Sequence, residues 1–338
     1  MDPLILDAIV ALGGIGFVLG AGLSYAARCF KVEQNPLVEE IAAFLPGANC
    51  GGCGYPGCAG YADAVVLKGA PANLCAPGSS AVAQKIGKLL GLDAVASVRK
   101  IAYLHCAGSK DRAVDKYRYY GVEDCRMADT LGGGPKACGY GCMGFGSCVR
   151  VCKFDALRMD SDGLPVVDRA KCTGCGACVR ICPKRLFSLL PDTIIIYLSC
   201  SSHERGKAVK DACSVGCIGC GICAKVTAGG AVTMVENLPS VDYESSPNLI
   251  LANYKCPAKS FIDLALKRPH LTIDPRCKGH GKCAEVCPVK GCITGETGQP
   301  HRIDPYTCIG CGLCLDVCPE KAIRVVGAMG YVGMDMSR

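Results

Sequence analysis

The chain has 338 residues, of which 29 are cysteine and 43 are glycine, and it contains no tryptophan. Aromatic residues make up only 6%, so large apolar side chains are too few to fill the cores of the two or three domains that this length suggests. The formal net charge is +7. This composition excludes a disordered chain and a coiled coil, and it argues against nucleic-acid binding, which uses aromatic side chains to stack bases.

The first predicted element is an apolar helix at the N-terminus. Residues 8–27 carry no charge and are long enough to cross a bilayer, so residues 1–30 are predicted to be a transmembrane anchor. A cleaved signal peptide is disfavoured because no Lys or Arg precedes the apolar run. Arg28 and Lys31 follow it. The positive-inside rule therefore places the N-terminus outside and the rest of the chain in the cytoplasm, at the cell inner membrane.

A small helical module is predicted at residues 36–80. Its glycine-rich segment lets the backbone fold tightly around an inorganic core and direct N–H groups toward its sulfides. Disulfides are disfavoured here because Cys-x2-Cys runs in a reducing cytoplasm are typical of metal ligands. We expect one [4Fe-4S] cluster in this module. Its predicted ligands are Cys50, Cys53, Cys58 and Cys75.

Two Cys-x2-Cys-x2-Cys-x3-Cys-Pro runs of identical spacing begin at Cys172 and Cys308 and are typical of bacterial ferredoxins. In that fold the first three cysteines of a run bind one [4Fe-4S] cluster and the fourth binds the other, so each run needs a partner run. Two-cluster modules are therefore predicted at residues 136–190 and 270–326. In the first module, crossed ligation predicts one cluster at Cys138, Cys142, Cys148 and Cys182, and the other at Cys152, Cys172, Cys175 and Cys178.

The last module has one complete set of ligands and one incomplete set. The complete set is Cys287, Cys308, Cys311 and Cys314, and the incomplete set is Cys277, Cys283 and Cys318. His280 stands at the missing position, and imidazole can replace thiolate on iron, raising the potential. Three alternatives stay open: His280 as the fourth ligand, a [3Fe-4S] cluster with His280 on the surface, or Cys292 as the ligand.

Residues 193–262 are predicted to combine a strand ending in cysteine with a degenerate ferredoxin module that has one cluster. Thr227 replaces the expected fourth cysteine of its first run, and the second run is reduced to Cys256-Pro257. Loss of one cluster under crossed ligation would remove these ligands together. The segment 241–253 would replace the lost ligand loop. The remaining set is Cys217, Cys220, Cys223 and Cys256, which brings the predicted total to six clusters.

Four further cysteines belong to an internal duplication. The segment Ile101-Ala-Tyr-Leu-His-Cys106, within residues 98–130, is similar to Ile195-Ile-Tyr-Leu-Ser-Cys200. If the two strands pair, Cys106 and Cys200 come together, and a seventh cluster is conceivable. Its ligands would be Cys106, Cys125, Cys200 and Cys213, although structural cysteines are favoured at these spacings. Cys213 also aligns with Cys138 in an Ala-Cys-x3-Cys setting. Cys29 lies at the membrane edge, and residues 327–338 form a tail.

The sequence thus predicts an α+β protein of several modules, with one transmembrane helix, a small helical 4Fe-4S module and tandem bacterial-ferredoxin-like modules. The run Cys50-Gly-Gly-Cys-Gly-Tyr-Pro-Gly-Cys58, placed between an N-terminal span and tandem ferredoxin modules, resembles the RnfB family of iron–sulfur proteins from Rnf complexes. The stretches 117–125 and 131–148 resemble the long, anaerobe-type version of that family. The resemblance covers nearly the whole chain.

The resemblance implies a component of a membrane-bound ferredoxin:NAD+ oxidoreductase that translocates Na+ or H+. Its partners would be other Rnf membrane subunits and soluble reduced ferredoxin. The residues support an electron carrier, since Gly132–Gly134 lacks the setting of a dinucleotide fingerprint and no catalytic side chains stand out. The basic stretch 99–118 is a candidate docking surface for an acidic ferredoxin. An iron–sulfur component of a different membrane oxidoreductase is the alternative.

Overall fold

The computed structural model describes residues 3–30, 35–92, 98–327 and 330–331. Most of its helices are short. The helices are α1 Pro3–Cys29, α2 Pro36–Phe44, α3 Gly57–Lys68, α4 Ser79–Leu90, α5 Cys125–Thr130, α6 Ser147–Arg150, α7 Ala177–Ile181, α8 Lys207–Ala212, α9 Ile222–Val226, α10 Ile250–Lys255, α11 Lys282–Val286 and α12 Leu313–Val317, with a 3-10 turn at Ala228–Gly230.

The strands of the described residues pair two by two, and every pair is antiparallel. The strands are β1 Lys100–Leu104, β2 Leu157–Met159, β3 Pro165–Val167, β4 Phe187–Pro191, β5 Ile196–Leu198, β6 Val232–Val235, β7 Leu238–Val241, β8 Phe261–Asp263, β9 Ala265–Lys267, β10 His270–Ile273, β11 Ile293–Thr294, β12 Arg302–Ile303, β13 Ile323–Val326 and β14 Gly330–Tyr331. The pairs are β1–β4, β2–β3, β5–β8, β6–β7, β9–β14, β10–β13 and β11–β12.

Helix α1 is the apolar N-terminal helix that the sequence predicts. Residues 10–29 have a mean hydropathy of 1.7, and none of this stretch is buried against the rest of the chain. Length and composition suit a membrane span. Lys31, which the orientation argument used, lies outside the described residues.

Helices α2, α3 and α4 form a small unit with its own core. Helix α2 begins with Pro36, and the Asn35 side chain accepts a hydrogen bond from the amide of Leu37 at 3.0 Å, which caps the helix. The core holds the fully buried side chains of Ile41 and Ile86. Since Ile86 belongs to α4, the unit extends to Leu90, beyond the boundary at residue 80 that the sequence suggested.

The central core contains the two copies of the internal duplication. Strand β1 pairs with β4, and strand β5 pairs with β8, so each copy closes on the strand that follows its own Cys-Pro. The rings of Tyr103 and Tyr197, equivalent in the two copies, pack edge to face with centroids 4.9 Å apart. The two cysteine-ending strands therefore do not pair with each other, which was the condition considered for bringing Cys106 and Cys200 together. The copies meet instead through the loops that follow, where the amide of Ala107 donates to the carbonyl of Ser199 at 3.0 Å.

One loop conformation occurs five times in the described residues, each time as Cys-x-Gly-x-Gly-x-Cys, with a helix of four or five residues that begins one residue before the last cysteine. Both glycines of each copy have φ between 68° and 83°, which favours glycine over other residues. The residue between the two glycines is Phe145, Cys175, Cys220, His280 and Cys311 in the successive copies. This repeated loop places cysteines in equivalent positions along the chain.

The C-terminal unit has a third, smaller core that includes Leu271, Ile303 and Ile323. Its strands β10 and β13 join the two ends of the unit. Strand β14 falls within the predicted tail and pairs with β9, whereas residues 328–329 and 332–338 lie outside the described residues.

Candidate iron–sulfur cluster sites

All the cysteines outside α1 except Cys292 gather in seven groups, which we name by their lowest-numbered member. In several of these groups a backbone amide from a neighbouring turn or strand donates a hydrogen bond to a cysteine sulfur. The amides of Ala102, Leu186, Ser260 and Ala322, for example, donate to Cys172, Cys182, Cys256 and Cys318, each at 3.4 Å. Such bonds stabilise negative charge on sulfur and tune the potential of an iron–sulfur cluster.

The Cys50 set is Cys50, Cys53, Cys58 and Cys75. Burial raises the pKa of the Cys75 thiol, and the three other thiols lie near enough to raise it further. The Asn49 side chain accepts a hydrogen bond from the amide of Cys58 at 2.8 Å and holds the start of α3 against the loop. The three other thiols that the sequence assigned to this module therefore lie near that of Cys75.

The Cys152 set is Cys152, Cys172, Cys175 and Cys178, and its side chains line one cavity. Thr173 lines the same cavity, and its hydroxyl is buried without a hydrogen-bond partner among the described residues. Buried hydroxyls nearly always have a partner. A cluster fits this site, because its sulfides are acceptors that this hydroxyl otherwise lacks.

The Cys125 set is Cys125, Cys142, Cys148 and Cys182, which line another cavity. Crossed ligation grouped Cys138 with the last three, but the structure brings Cys125 there instead. The amide of Cys125 donates to the Ser147 hydroxyl at 2.8 Å, and that hydroxyl donates to Asp124 at 3.0 Å. These bonds fix the start of α5 beside Cys148.

The Cys106 set is Cys106, Cys138, Cys200 and Cys213, which line a cavity of about 410 Å³. Cys138 faces this cavity because the amide of Ala137 donates to the carbonyl of Val114 at 2.8 Å, while Ala113 forms a bridge with Cys213. The structure thus exchanges Cys125 and Cys138 relative to the grouping that the sequence suggested. Burial raises the pKa of the Cys106 thiol to about 11.

The Cys217 set is Cys217, Cys220, Cys223 and Cys256, the four that the sequence assigned to the degenerate module. Burial raises the pKa of Cys217 to about 12, and the nearby thiols of Cys223 and Cys256 contribute. Thr227 is not available as a ligand, since its hydroxyl is buried and donates to the carbonyl of Cys223 at 2.9 Å.

The C-terminal unit holds two groups. The Cys287 set is Cys287, Cys308, Cys311 and Cys314, and the Cys277 set is Cys277, Cys283 and Cys318. Cys292 is buried, 2% exposed, and lies beside Cys287 and Cys308. Its position beside the complete set favours His280 or a three-iron cluster at the Cys277 set.

His280 occupies the same loop position as Cys175 and Cys311, but its ring turns outward. The side chain is 42% exposed, and Nε2 lies 4.0 Å from a carboxylate oxygen of Glu320. The amide of His301, a buried residue of the same unit, donates to Cys277 at 3.5 Å. The backbone at position 280 is that of a ligand, whereas the side chain is placed against a carboxylate.

None of these groups is arranged for a single ion. In the described ranges, no three His, Cys, Asp or Glu side chains converge closely enough to hold one metal ion. In the Cys106, Cys125 and Cys152 sets the thiols instead line a cavity between them, as ligands of a multinuclear cluster do. When bound, [4Fe-4S] clusters would supply one-electron redox chemistry, and the thiolates, glycine loops and amide donors of this chain would hold them and set their potentials.

A protein with one apolar N-terminal helix and several ferredoxin-like 4Fe-4S domains is a multi-cluster iron–sulfur electron-transfer protein. Family models agree with this class: the FeS model for an Fe-S cluster matches residues 45–77, and models of 4Fe-4S binding domains match residues 164–187 and 301–324. The middle repeat, with the Cys217 set, lies between the last two matches.

Curated relatives identify the family. The B component of the ion-translocating oxidoreductase complex of Methanosarcina acetivorans is 42% identical over 77% of this chain and 98% of its own length. The B components of the proton-translocating ferredoxin:NAD(+) oxidoreductase complex of Clostridium ljungdahlii and of the Na(+)-translocating complex of Acetobacterium woodii are 45% and 38% identical over 70% and 75% of this chain, and over 84% and 76% of their own lengths. The chain belongs to this RnfB family of ion-translocating oxidoreductase complexes, which confirms the resemblance seen in the sequence.

Sequence reasoning missed the partners of Cys125 and Cys138. One signal was present: the loop from Cys142 to Cys148 has Phe145 where complete copies have cysteine, so this group needs a thiol from elsewhere. Cys125 supplies it. The other signal was that Cys138 aligns with Cys213 and Cys106 aligns with Cys200 in the two copies of the duplication. Combining these two pairs gives the Cys106 set.

Proposed function

We propose that this chain accepts electrons from reduced ferredoxin and relays them into a membrane complex that reduces NAD+ while translocating Na+ or H+. The observation that supports the relay most directly is that neighbouring groups of cysteines are joined by contacts, in a series that runs from the unit next to α1 to the C-terminal unit with one gap, between the Cys125 and Cys217 sets. Each contact joins a ligand residue of one group to the neighbourhood of the next.

The first contact joins the helical unit to the first ferredoxin module. The guanidinium of Arg180 donates to the carbonyl of Cys50 at 2.9 Å and to that of Cys175 at 3.2 Å. At the same interface a Cβ on Gly52 would stand 2.8 Å from the Cys175 carbonyl oxygen. The Cys50 and Cys152 sets are therefore held close by backbone groups of their own ligands.

The series continues through the ferredoxin modules. Cys178 of the Cys152 set lies near Cys148 of the Cys125 set. At the other end, the side-chain amide of Asn248, which precedes α10, donates to the carbonyl of Cys311 at 3.1 Å. Since Cys256 follows directly after α10, this bond connects the segment that carries Cys256 of the Cys217 set to the Cys287 set.

Reduction of NAD+ is assigned to a partner protein of the complex. The glycines of Gly132–Gly134 all have positive φ and form a turn after α5, before Cys138, not the strand-to-helix turn of a dinucleotide site. The relatives from Clostridium ljungdahlii and Acetobacterium woodii are named as subunits of ferredoxin:NAD(+) oxidoreductases, which supports ferredoxin as donor and NAD+ as final acceptor.

The proposed arrangement in the membrane has α1 crossing the inner membrane, with the N-terminus outside and all ligand groups in the cytoplasm. Other membrane subunits of the complex would pack against α1. Soluble ferredoxin would dock on the basic stretch 99–118. Arg99 and Lys100 are engaged in ion pairs with Asp192 and Glu244, so the exposed bases from Lys110 to Arg118 would supply this surface.

The proposal is tested by measuring how fast reduced ferredoxin reduces the purified chain under anaerobic conditions. Bleaching of the iron–sulfur absorption is the readout. We expect rapid bleaching without NAD+ reduction by the chain alone. The rate should fall as salt rises from about 0.01 to 0.3 M, because screening shortens from roughly 30 Å to below 8 Å. A chain that ferredoxin does not reduce would contradict the relay. A rate independent of salt would contradict only the electrostatic docking.

A further inference from the structure

We propose that the Cys106 set holds a further [4Fe-4S] cluster, a seventh in the chain, with two cysteine ligands from each copy of the internal duplication. The site lies at the junction of the two copies. Its existence does not depend on the ferredoxin partner, whereas its role as a link rests on the proposed function.

The first argument is that the four thiols share one space. A Cβ on Gly108 would stand 3.7 Å from the sulfur of Cys106 and 3.5 Å from that of Cys213, so these two sulfurs can be no farther apart than the sum of those distances. Cys138 has both Cys200 and Cys213 as close neighbours, and Cys106 has Cys138 and Cys200. All four line the cavity of about 410 Å³.

The second argument is the equivalence of the ligands in the two copies. Cys106 and Cys200 each follow a buried strand, β1 or β5, by two residues. Cys138 and Cys213 each stand four residues before the first cysteine of a glycine loop, in Ala-Cys-x3-Cys. Each copy thus contributes the same pair of cysteines, and a four-ligand site arises only where the copies meet.

The third argument is a hydrogen bond that occurs once in each copy. The amide of Cys142 donates to the sulfur of Cys106 at 3.4 Å, and the amide of Cys217 donates to the sulfur of Cys200 at 3.2 Å. A cluster ligand that accepts backbone N–H bonds is the arrangement seen in iron–sulfur proteins. Structural cysteines in an apolar core would have no need of the same donor in both copies.

These bonds also define the place of the site in the chain of contacts. Cys142 belongs to the Cys125 set and Cys217 belongs to the Cys217 set, so a ligand of each neighbouring group donates to a sulfur of the Cys106 set. The two-cluster ferredoxin module would connect to the degenerate module through this site. It closes the gap in the series of contacts described above.

Metal content of the anaerobically purified, fully reconstituted chain is the first test. Seven four-iron clusters predict about 28 iron atoms and as many acid-labile sulfides per chain, or one iron fewer if the Cys277 set holds three. A content at or below about 24 iron atoms would overturn the proposal. So would about 24 iron atoms together with one zinc, which would mean a mononuclear site.

Variants locate the cluster. Cys213→Ala should lose about four iron atoms, and the double variant Cys138→Ala with Cys213→Ala should lose no more than that, because both residues serve one cluster. A loss of about eight in the double variant, or none in the single one, would overturn the grouping. Cys292→Ala, which removes a buried cysteine outside the seven groups, is the matched control and should keep its iron. If a variant does not fold, the iron content of the unaltered chain still decides.

Discussion

At the scale of single residues, Thr173 is the group whose surroundings depend most on a bound cluster. Its buried hydroxyl has no partner among the described residues, and it lines the cavity of the Cys152 set. A hydroxyl that donates to a cluster sulfide stabilises the reduced, more negative form and so raises the potential. The equivalent positions in the other four loops are Met143, Ile218, Lys278 and Ile309, none of which has a hydroxyl, so this effect would be specific to one site.

We therefore expect Thr173→Val to lower the potential of one cluster. A hydrogen bond of about 1 kcal/mol corresponds to roughly 40 mV for a one-electron couple. Redox titration followed by electron paramagnetic resonance measures the shift. Thr227→Val is the control, because the hydroxyl of Thr227 already donates to a backbone carbonyl. An unchanged potential in Thr173→Val would show that the hydroxyl does not face the cluster.

His280 leads to a second prediction at this scale. Gly279 and Gly281 have φ values of 76° and 77°, close to those around Cys311, so a cysteine at position 280 would take the ligand position. If His280 ligates iron, His280→Cys should lower the potential of one cluster only, because thiolate brings more negative charge to the core than imidazole does. Redox titration checks this, with His270→Cys on β10 as the control. If no cluster shifts, position 280 is a bystander.

At the scale of elements, the degenerate module tests the assignment of its ligands. Cys256 comes from the remnant of the lost run, yet its thiol lies near Cys217 and Cys223. We expect Cys256→Ala to lose about four iron atoms and one cluster signal while the other signals remain. Iron analysis and electron paramagnetic resonance measure this, with Cys292→Ala as control. Loss of two signals, or of none, would contradict the assignment.

The interface between the helical unit and the first ferredoxin module gives another prediction. Gly52 does not have a positive φ, so close approach to the Cys175 carbonyl, not backbone conformation, requires a glycine there. Gly52→Ala should push the two units apart and slow electron transfer between them without loss of iron. Pulse radiolysis of the isolated chain measures the rate.

The control for this interface is Gly13→Ala, since a Cβ on Gly13 has no neighbour within 4 Å. An unchanged transfer rate in Gly52→Ala would mean that the units do not need this close contact. Loss of iron would mean that Gly52 supports the Cys50 set itself, through the loop that holds it, and not only the interface between the two units.

The Cys-x-Gly-x-Gly-x-Cys loops could be predicted from the sequence, whereas the cysteines from other segments that complete each group could not. Cys-x-Gly-x-Gly-x-Cys is a local pattern, because the glycines accept positive φ and the following residues start a helix within the same few positions. The choice between Cys125 and Cys138 is not local. It depends on the bond from Cys125 to Ser147 and on the bond from Ala137 to Val114, which form only after distant segments have packed.

At the scale of the whole molecule, neither the charge nor the order of the modules in the sequence predicts which residues form the contacts between modules. The order of modules could be predicted from the spacing of the cysteines. The contacts between modules could not, because they depend on single side chains such as Arg180 and Asn248, whose partners are backbone carbonyls in other modules. Because every residue has a backbone carbonyl, the sequence does not indicate which carbonyl accepts such a bond.

The last prediction concerns α1. No proposed ligand precedes Cys50, the core of the helical unit begins at Val38, and residues 10–29 of α1 have no part buried against the rest of the chain. Removal of residues 1–30 should therefore leave a soluble protein with its full iron content that still accepts electrons from reduced ferredoxin. It should no longer support ferredoxin-dependent NAD+ reduction in membranes, because α1 is the surface proposed to pack against partner subunits. The full-length chain, restored to the same membranes, is the control. Membrane activity of the truncated protein would contradict an anchoring role for α1, and NAD+ reduction by the purified truncated protein alone would contradict the assignment of that step to a partner.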